Sequence, residues 1–378
     1  MKVLVAAGGT GGHITPGLAI ANKLKEEGNN VIFVGTTGGM EVDLVPKAGF
    51  ELRYIHARGL TSGIKAKVRA GIELIKGISE VKKIIKEEKI DLVVGTGGYV
   101  TAPAMIAALR LKIPTLIHES NALPGKTTKL LASKVDVVAV GFKEAIERLP
   151  DAKHIVFTGN PTKLQDSLSK NECKNKLGIE KPMVLVFGGS QGAKKINEVM
   201  IELINNFKGD EYNIIYATGP KNYDEIISKI SNNTSSIKIE KYIYNMEEVM
   251  SAADLAVCRS GALTVTELGI VGLPAILIPF PYAAENHQYY NAKTISDSGA
   301  GIIIEEKDLT YEKLKKQIDL LITNKDMLGE MSIHAKKNEM KSAIEKIMCW
   351  NSLFLGVDIN HIINQMFACV VNVTNKLS

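Results

Sequence analysis

Aromatic side chains are scarce, at 6% of 378 residues with a single tryptophan, Trp350, and cysteine is scarcer still. Cys173, Cys258, Cys349 and Cys369 never fall in a CxxC pair, which excludes a disulfide scaffold and a zinc ribbon and fits a reducing compartment. Long apolar runs are missing too. Val3 to Ala7 ends in glycines after five residues, too short for a signal peptide. No run reaches the roughly 18–20 residues of a spanning helix. A soluble, cytoplasmic chain is therefore expected.

What is present is ordinary globular material, 45% hydrophobic and 23% charged. At roughly 100–200 residues per domain, the length suggests two domains, each able to bury its own core. The net charge of +5 is uneven. Residues 1–160 carry 22 Lys and Arg against 15 Asp and Glu, and the remainder 24 against 26, so +7 faces −2. Nine basic and four acidic residues fall between Arg58 and Lys89. With so few interleaved aromatics this is no nucleic-acid surface; an anionic membrane surface or an anionic substrate suits it.

Short apolar runs alternate with amphipathic stretches throughout. Lys2–Ala7, Asn30–Gly35, Asp91–Gly95, Pro114–His118 and Val135–Val140 read as buried strands, and so do Met183–Phe187, Asn213–Ala217, Ile237–Lys241, Leu255–Cys258 and Ala275–Pro279. That rhythm means βαβ units and parallel sheets, hence an α/β chain of two Rossmann-like domains. The glycine and proline of Thr158–Gly159–Asn160–Pro161, with the polar stretch after them, mark the boundary. An internal echo agrees: Val3–Ala7 runs into Gly8-Gly9-Thr10-Gly11-Gly12, and 180 residues on Met183–Phe187 runs into Gly188-Gly189-Ser190-Gln191-Gly192. The expected division is an N-terminal domain over 1–162, a second over 163–347, and a divergent tail over 348–378 with no assigned role.

A glycine loop between a buried strand and a helix brings backbone amides close to an anion. The dinucleotide fingerprint fails, because Ile14 stands where its third glycine belongs and Val34-Gly35-Thr36 ends the next strand without a carboxylate for a ribose. A Walker-like stretch, Ser120 to Thr127, lacks the first glycine and loses an amide donor at Pro124. The richest segment is Cys258-Arg259-Ser260-Gly261-Ala262-Leu263-Thr264-Val265-Thr266-Glu267. Its helix, starting near Ala262, can hold a diphosphate on free amides. Glu267 can accept two ribose hydroxyls, or simply be a first-turn carboxylate favoured by the helix dipole. The polar cluster Glu285 to Asn291 suits sugar hydroxyls, or helix capping. No Asp-x-Asp pair occurs, so a transferase of nucleotide sugars built on this chain would neutralise its leaving diphosphate with helix ends and side chains rather than a metal.

Taken together, Gly8-Gly9-Thr10-Gly11-Gly12-His13, Gly95-Thr96-Gly97-Gly98-Tyr99, His118-Glu119-Ser120-Asn121, Gly188 to Ala193 and Arg259 to Glu267 resemble the MurG family, the peptidoglycan N-acetylglucosaminyltransferases of glycosyltransferase family 28. The resemblance spans roughly residues 1–345 with the motifs in order. It implies the GT-B fold, with the active site in the cleft between its two domains. It also implies inverting transfer of GlcNAc from UDP-GlcNAc to the C4 hydroxyl of MurNAc-pentapeptide-pyrophosphoryl-undecaprenol (lipid I to lipid II), at the cytoplasmic face of the membrane and without a cofactor. On that resemblance Thr10, Gly11, Gly12 and Asn121 are donor contacts, Ser190 meets phosphate, and the backbone of Ile243 reads uracil. Ala262, Leu263, Thr264 and Glu267 serve diphosphate and ribose, and Gln288 the GlcNAc hydroxyls. Lys163 stands where the family often has arginine. His13 is the first candidate for the base that takes the acceptor's proton, and Glu119 the second. Another GT-B transferase with a lipid acceptor, such as a diacylglycerol galactosyltransferase, or a UDP-GlcNAc-binding protein without transfer are the alternatives. Ile64, Val68, Ile72, Ile75 and Ile78 recur at helical spacing beside Lys65, Lys67, Arg69 and Lys76, either as a core stripe or as a face for anionic lipid.

Overall fold

A computed structural model describes residues 1–59, 63–162, 164, 168–209, 211–232, 234–337 and 342–353. Lys163 and the tail beyond 353 lie outside the described residues. The chain forms two compact units, residues 1–163 with 342–378, and residues 164–341.

In the first unit β1 (Lys2–Ala6), α1 (Gly11–Glu26), β2 (Asn30–Gly35), α2 (Glu41–Lys47), β3 (Glu51–Tyr54) and α3 (Ile64–Glu88) lead to β4 (Leu92–Gly95) and α4 (Thr101–Leu111). There follow β5 (Thr115–Glu119), α5 (Lys126–Leu131), β6 (Val137–Val140) and β7 (Ile155–Phe157). All seven strands are parallel, in the order β3-β2-β1-β4-β5-β6-β7. Strand residues alternate between two covered faces. Leu4 and Ala6 pack with Ile78, Val81 and Ile85 of α3 and Met105 of α4. Val3, Val5 and Ala7 pack with Ile14, Ile20 and Leu24 of α1. Covering both faces is why β1 reads as one apolar run.

The second unit opens with α6 (Lys170–Leu177), β8 (Met183–Phe187), α7 (Lys194–Asn205), β9 (Asn213–Ala217), α8 (Tyr223–Ser228) and β10 (Ile237–Glu240). It continues through α9 (Met246–Ala252), β11 (Leu255–Cys258), α10 (Ala262–Val271), β12 (Ala275–Leu277), α11 (His287–Asp297) and β13 (Gly301–Ile303), and ends in α12 (Tyr311–Thr323) and α13 (Lys325–Lys337). Its parallel sheet runs β10-β9-β8-β11-β12-β13. That is the order of the first six strands of the other sheet, so β1 and β8 are equivalent. Each is the strand beside which the order reverses, where α/β sheets bind ligands beyond their strand ends.

Two features differ from the sequence reading. Strands β3, β7 and β13 escape it because they are three or four residues long, partly exposed, and stand at or beside sheet edges. The last described helix, α14 (Ala343–Leu353), packs on the first unit rather than extending the second to 347. Ile347 is fully buried among the side chains of α1 and β1, and that contact draws it back.

Candidate functional site

Register aligns the strand ends that carry the loops. Ala6 lies opposite Val34 of β2 and Gly95 of β4, so Gly8, Thr36 and Thr96 emerge at one edge of the first sheet. The first glycine loop there has two halves. A Cβ on Gly8 would meet Val100 at 2.6 Å, and Gly9 has φ +91° with the Tyr99 ring 3.1 Å from where its Cβ would be. A Cβ on Gly11 would meet nothing within 4 Å, and one on Gly12 only the Thr10 hydroxyl, at 3.8 Å. Thr10 caps α1 by position, its carbonyl accepting from the His13 and Ile14 amides, while its hydroxyl makes no capping bond. The first pair is packed and the second opens outward.

His13 is seated by the second glycine motif. Its Nδ1 lies 3.1 Å from the Thr96 carbonyl, and the Thr96 hydroxyl donates to the His13 carbonyl at 2.7 Å. A side chain on Gly97 would come within 2.6 Å of Nδ1, and one on Gly98 within 3.2 Å of Cδ2, so both glycines make room for the ring. In the tautomer that donates Nδ1–H to Thr96, Nε2 carries the lone pair a base needs.

Glu119 departs from the expectation of a second base. It is buried, and four donors already occupy its carboxylate. Oε1 accepts from the amide (3.0 Å) and side chain (3.3 Å) of Asn121, and Oε2 from the Gly125 amide (3.0 Å) and the Thr128 hydroxyl (2.6 Å). Those bonds shape the Walker-like stretch from within and orient Asn121. Below them, Nε2–H of His118 donates to the Gly159 carbonyl (3.2 Å), and Asn160 donates to that of Ser120 (3.0 Å). Thr158 to Pro161 are thus buried and brace the first unit just before the chain passes to the second after residue 163. Burial pushes the His118 imidazole down to about 4, against weaker opposite pulls from the Gly159 carbonyl and the Glu119 charge.

The second unit repeats the strand–loop–helix device. A Cβ on Gly188 would collide with Ala193, and Ser190 is exposed at the turn before α7. At the end of β11, Arg259 is buried, donating to the carbonyls of Ile278 (3.1 Å) and Pro279 (3.2 Å), paired with Glu306 and lying over the Phe280 ring at 5.3 Å. The Ser260 hydroxyl donates to the Gln288 carbonyl at 2.8 Å, and Gln288 Oε1 accepts the Phe280 amide at 3.0 Å. This ties the start of α10 to that of α11 and engages the Gln288 side chain through its Oε1. Glu285 and Asn286, both left-handed (φ +52° and +58°), form the turn into α11, a strained pair of the kind found beside ligand sites.

No acidic residue occupies the first turn of α10, which begins at Ala262 with Leu263 and Thr264 next, all three half-buried. Glu267 sits in the second turn, so the helix-dipole explanation of its place does not apply. Ile243 is buried in the segment after β10. Sequence reasoning missed Glu41, Thr96 as the His13 partner, and the Arg259–Glu306 pair. For Glu41 the signal was there, since the carboxylate sought at Thr36 lies five residues on.

Residues 3–140 match the glycosyltransferase family 28 N-terminal domain and residues 183–347 its C-terminal domain. A UDP-N-acetylglucosamine–N-acetylmuramyl-(pentapeptide) pyrophosphoryl-undecaprenol N-acetylglucosamine transferase of Acetivibrio thermocellus is 45% identical over 355 residues, covering 92% of this chain and 96% of that protein. The crystal structure of Acinetobacter baumannii MurG superposes with a TM-score of 0.78 at 31% identity, covering 92% of this chain and 97% of that one. The calicheamicin glycosyltransferase CalG4, at 14% identity and a TM-score of 0.69 over 95% of this chain and 99% of that one, shares the fold alone.

Proposed function

The chain belongs to glycosyltransferase family 28, and from that premise we propose how its two units divide the work. It is a GT-B enzyme of peptidoglycan synthesis that transfers N-acetylglucosamine from UDP-GlcNAc to lipid I, giving lipid II. The second unit holds the leaving nucleotide. Ser190 and the start of α10 at Ala262, Leu263 and Thr264 take the diphosphate, Glu267 the ribose, the Ile243 backbone the uracil, and Gln288 the GlcNAc hydroxyls. The observation that carries this division is the acid-free start of α10, tied through Ser260 and Gln288 to the loop that reads the sugar. Hydrogen bonds aimed at the departing diphosphate strengthen as its charge develops.

The first unit supplies donor contacts from Thr10, Gly11, Gly12 and Asn121, and the base. As the acceptor C4 oxygen bonds to the anomeric carbon and the bond to UDP breaks, with inversion, the hydroxyl proton passes to Nε2 of His13. The assignment is supported by the Thr96 carbonyl that fixes the tautomer.

The same unit meets the membrane. Among the described residues no helix is long and apolar enough to cross one. On α3, Val68, Ile72 and Ile75 are 59%, 51% and 70% exposed, whereas Ile78 is 6% exposed and joins the core. Lys65, Lys67, Arg69 and Lys76 flank the exposed three, so this face suits the surface of an anionic bilayer at its cytoplasmic side. Incubation with UDP-[¹⁴C]GlcNAc and a lipid I analogue tests the reading. Radiolabelled disaccharide lipid is expected, and release of free GlcNAc alone would end it.

A further inference from the structure

Pro279-Phe280-Pro281, the segment that leaves β12, has one backbone N–H in three residues, because proline has none. That single amide, on Phe280, donates to Oε1 of Gln288 at 3.0 Å. So few donors leave strand pairing little to hold, and the segment is held by its carbonyls instead. Nη1 of Arg259 donates to those of Ile278 (3.1 Å) and Pro279 (3.2 Å), and the guanidinium lies over the Phe280 ring at 5.3 Å. One side chain thus grips three consecutive residues, the last of which carries the amide that holds Gln288.

Arg259 is itself fixed. It leaves the end of β11, is 8% exposed, and pairs through Nη2 with Glu306, in the one-turn 3₁₀ helix Glu306–Asp308 after β13. The ends of three neighbouring strands, β11, β12 and β13, therefore meet at one guanidinium. Stability alone does not explain the pair, since a buried ion pair gains little over apolar packing. A planar guanidinium can aim N–H groups at two carbonyls and a carboxylate together, which neither an apolar side chain nor the point charge of lysine reproduces. The backbone of Gln288 is held separately, its carbonyl accepting the Ser260 hydroxyl beside α10. Side chain and backbone of Gln288 thus answer to different partners.

We infer that Arg259 and Glu306 are positioning residues for the sugar of the donor. Glu306 orients the guanidinium, the guanidinium sets residues 278–280, and the Phe280 amide sets the Gln288 side chain. The inference rests on the reading of Gln288 as the contact to the GlcNAc hydroxyls. Glu306 is the residue to alter, because it lies outside the segment that holds the diphosphate.

The whole chain is titrated by calorimetry with UDP and with UDP-GlcNAc, and exchange of the Phe280 amide is followed by NMR. In E306A, UDP-GlcNAc binding should weaken at least fivefold, the lower end for one lost buried hydrogen bond, while UDP binding stays within twofold. Exchange at the Phe280 amide should quicken at least tenfold. E306Q, which keeps an oxygen for Nη2, should recover most of both. Equal weakening of UDP and UDP-GlcNAc in E306A would mean a general loosening of the unit and overturn the role, as would unchanged Phe280 exchange. If neither variant folds, the unaltered protein decides: UDP-GlcNAc should slow Phe280 exchange at least threefold beyond UDP, and equal slowing by both overturns the inference. Q288A separates the inference from the reading beneath it. UDP-GlcNAc binding weakened in Q288A but not in E306A overturns the positioning role alone. Binding unmoved in Q288A overturns the sugar reading of Gln288, and this role with it.

Discussion

His118 lies in β5 with both ring nitrogens engaged inside the first unit, and burial holds its pKa near 4. An unfolded histidine titrates near 6.5, so between those values the unfolded chain binds the extra proton and the folded one does not. The contribution is whole above about pH 6.5 and is lost as pH falls toward 4, up to about 3 kcal/mol for a shift of this size. Urea titrations from pH 7 to 4 should show it, and His118→Gln, less stable at pH 7, should lose less over the same range. His13 is held differently, by one carbonyl and two glycines at the loop edge. His13→Ala should cut turnover by about 10²–10⁴-fold, the usual worth of a general base, while UDP-GlcNAc binding measured by calorimetry barely moves. Weakened donor binding with a near-normal saturated rate would make His13 a loop-shaping residue instead. The base candidate was legible in the sequence because it closes a glycine motif. The engagement of Glu119 was not, since its four donors come from a fold in which residues 121, 125 and 128 curl back on it.

Elements were read as well as their burial allowed. Most of the ten strands read from the sequence stood out because a parallel strand covered on both faces is apolar without interruption, while the edge strand β10 showed by alternation instead. The three that escaped are three or four residues long and partly wet, too short for a pattern to show, and only β3 (Glu51–Tyr54) carries polar residues. Helix α3 shows the same limit from the other side. Its apolar spacing continues from Val68 to Ile85, but the first part is exposed and the second buried, and periodicity cannot tell solvent from core. Replacing Ile72 and Ile75 by glutamate should therefore spare folding while reducing sedimentation with anionic liposomes. Wild-type binding should rise with anionic lipid and fall with salt, at about 1 kcal/mol per basic residue near the surface. Binding indifferent to lipid charge would remove this face from the membrane. For α14 the expectation is the reverse, because Ile347 is buried against α1, and Ile347→Ala should lower stability by about 2–5 kcal/mol in urea titrations.

At the scale of the molecule, the duplicated strand order was visible as an echo of two glycine loops, whereas the carboxylate behind the first of them needed the fold, because Glu41 reaches Gly9 from 32 residues away. The division of donor contacts within the second unit gives a paired prediction. Glu267→Ala should weaken inhibition by UDP, and Gln288→Ala should weaken UDP-GlcNAc binding while leaving UDP inhibition nearly intact. Each loss should be about 1–3 kcal/mol, or roughly 5- to 150-fold in affinity. Equal loss of UDP affinity in both would displace Gln288 from the sugar. Transfer should also persist in excess EDTA, as helix amides rather than a cation carry the leaving charge; abolition reversed only by a divalent ion would refute that. The return of α14 has a further consequence for how the chain can be divided. A fragment ending at Lys163 would be born without its lid, leaving bare the apolar patch on α1 that Ile344, Ile347 and Met348 cover. The second unit is thus an insert inside the first, and a trimmed protein that splices residues 342–353 onto 1–163 is the version to express when the first unit is wanted alone.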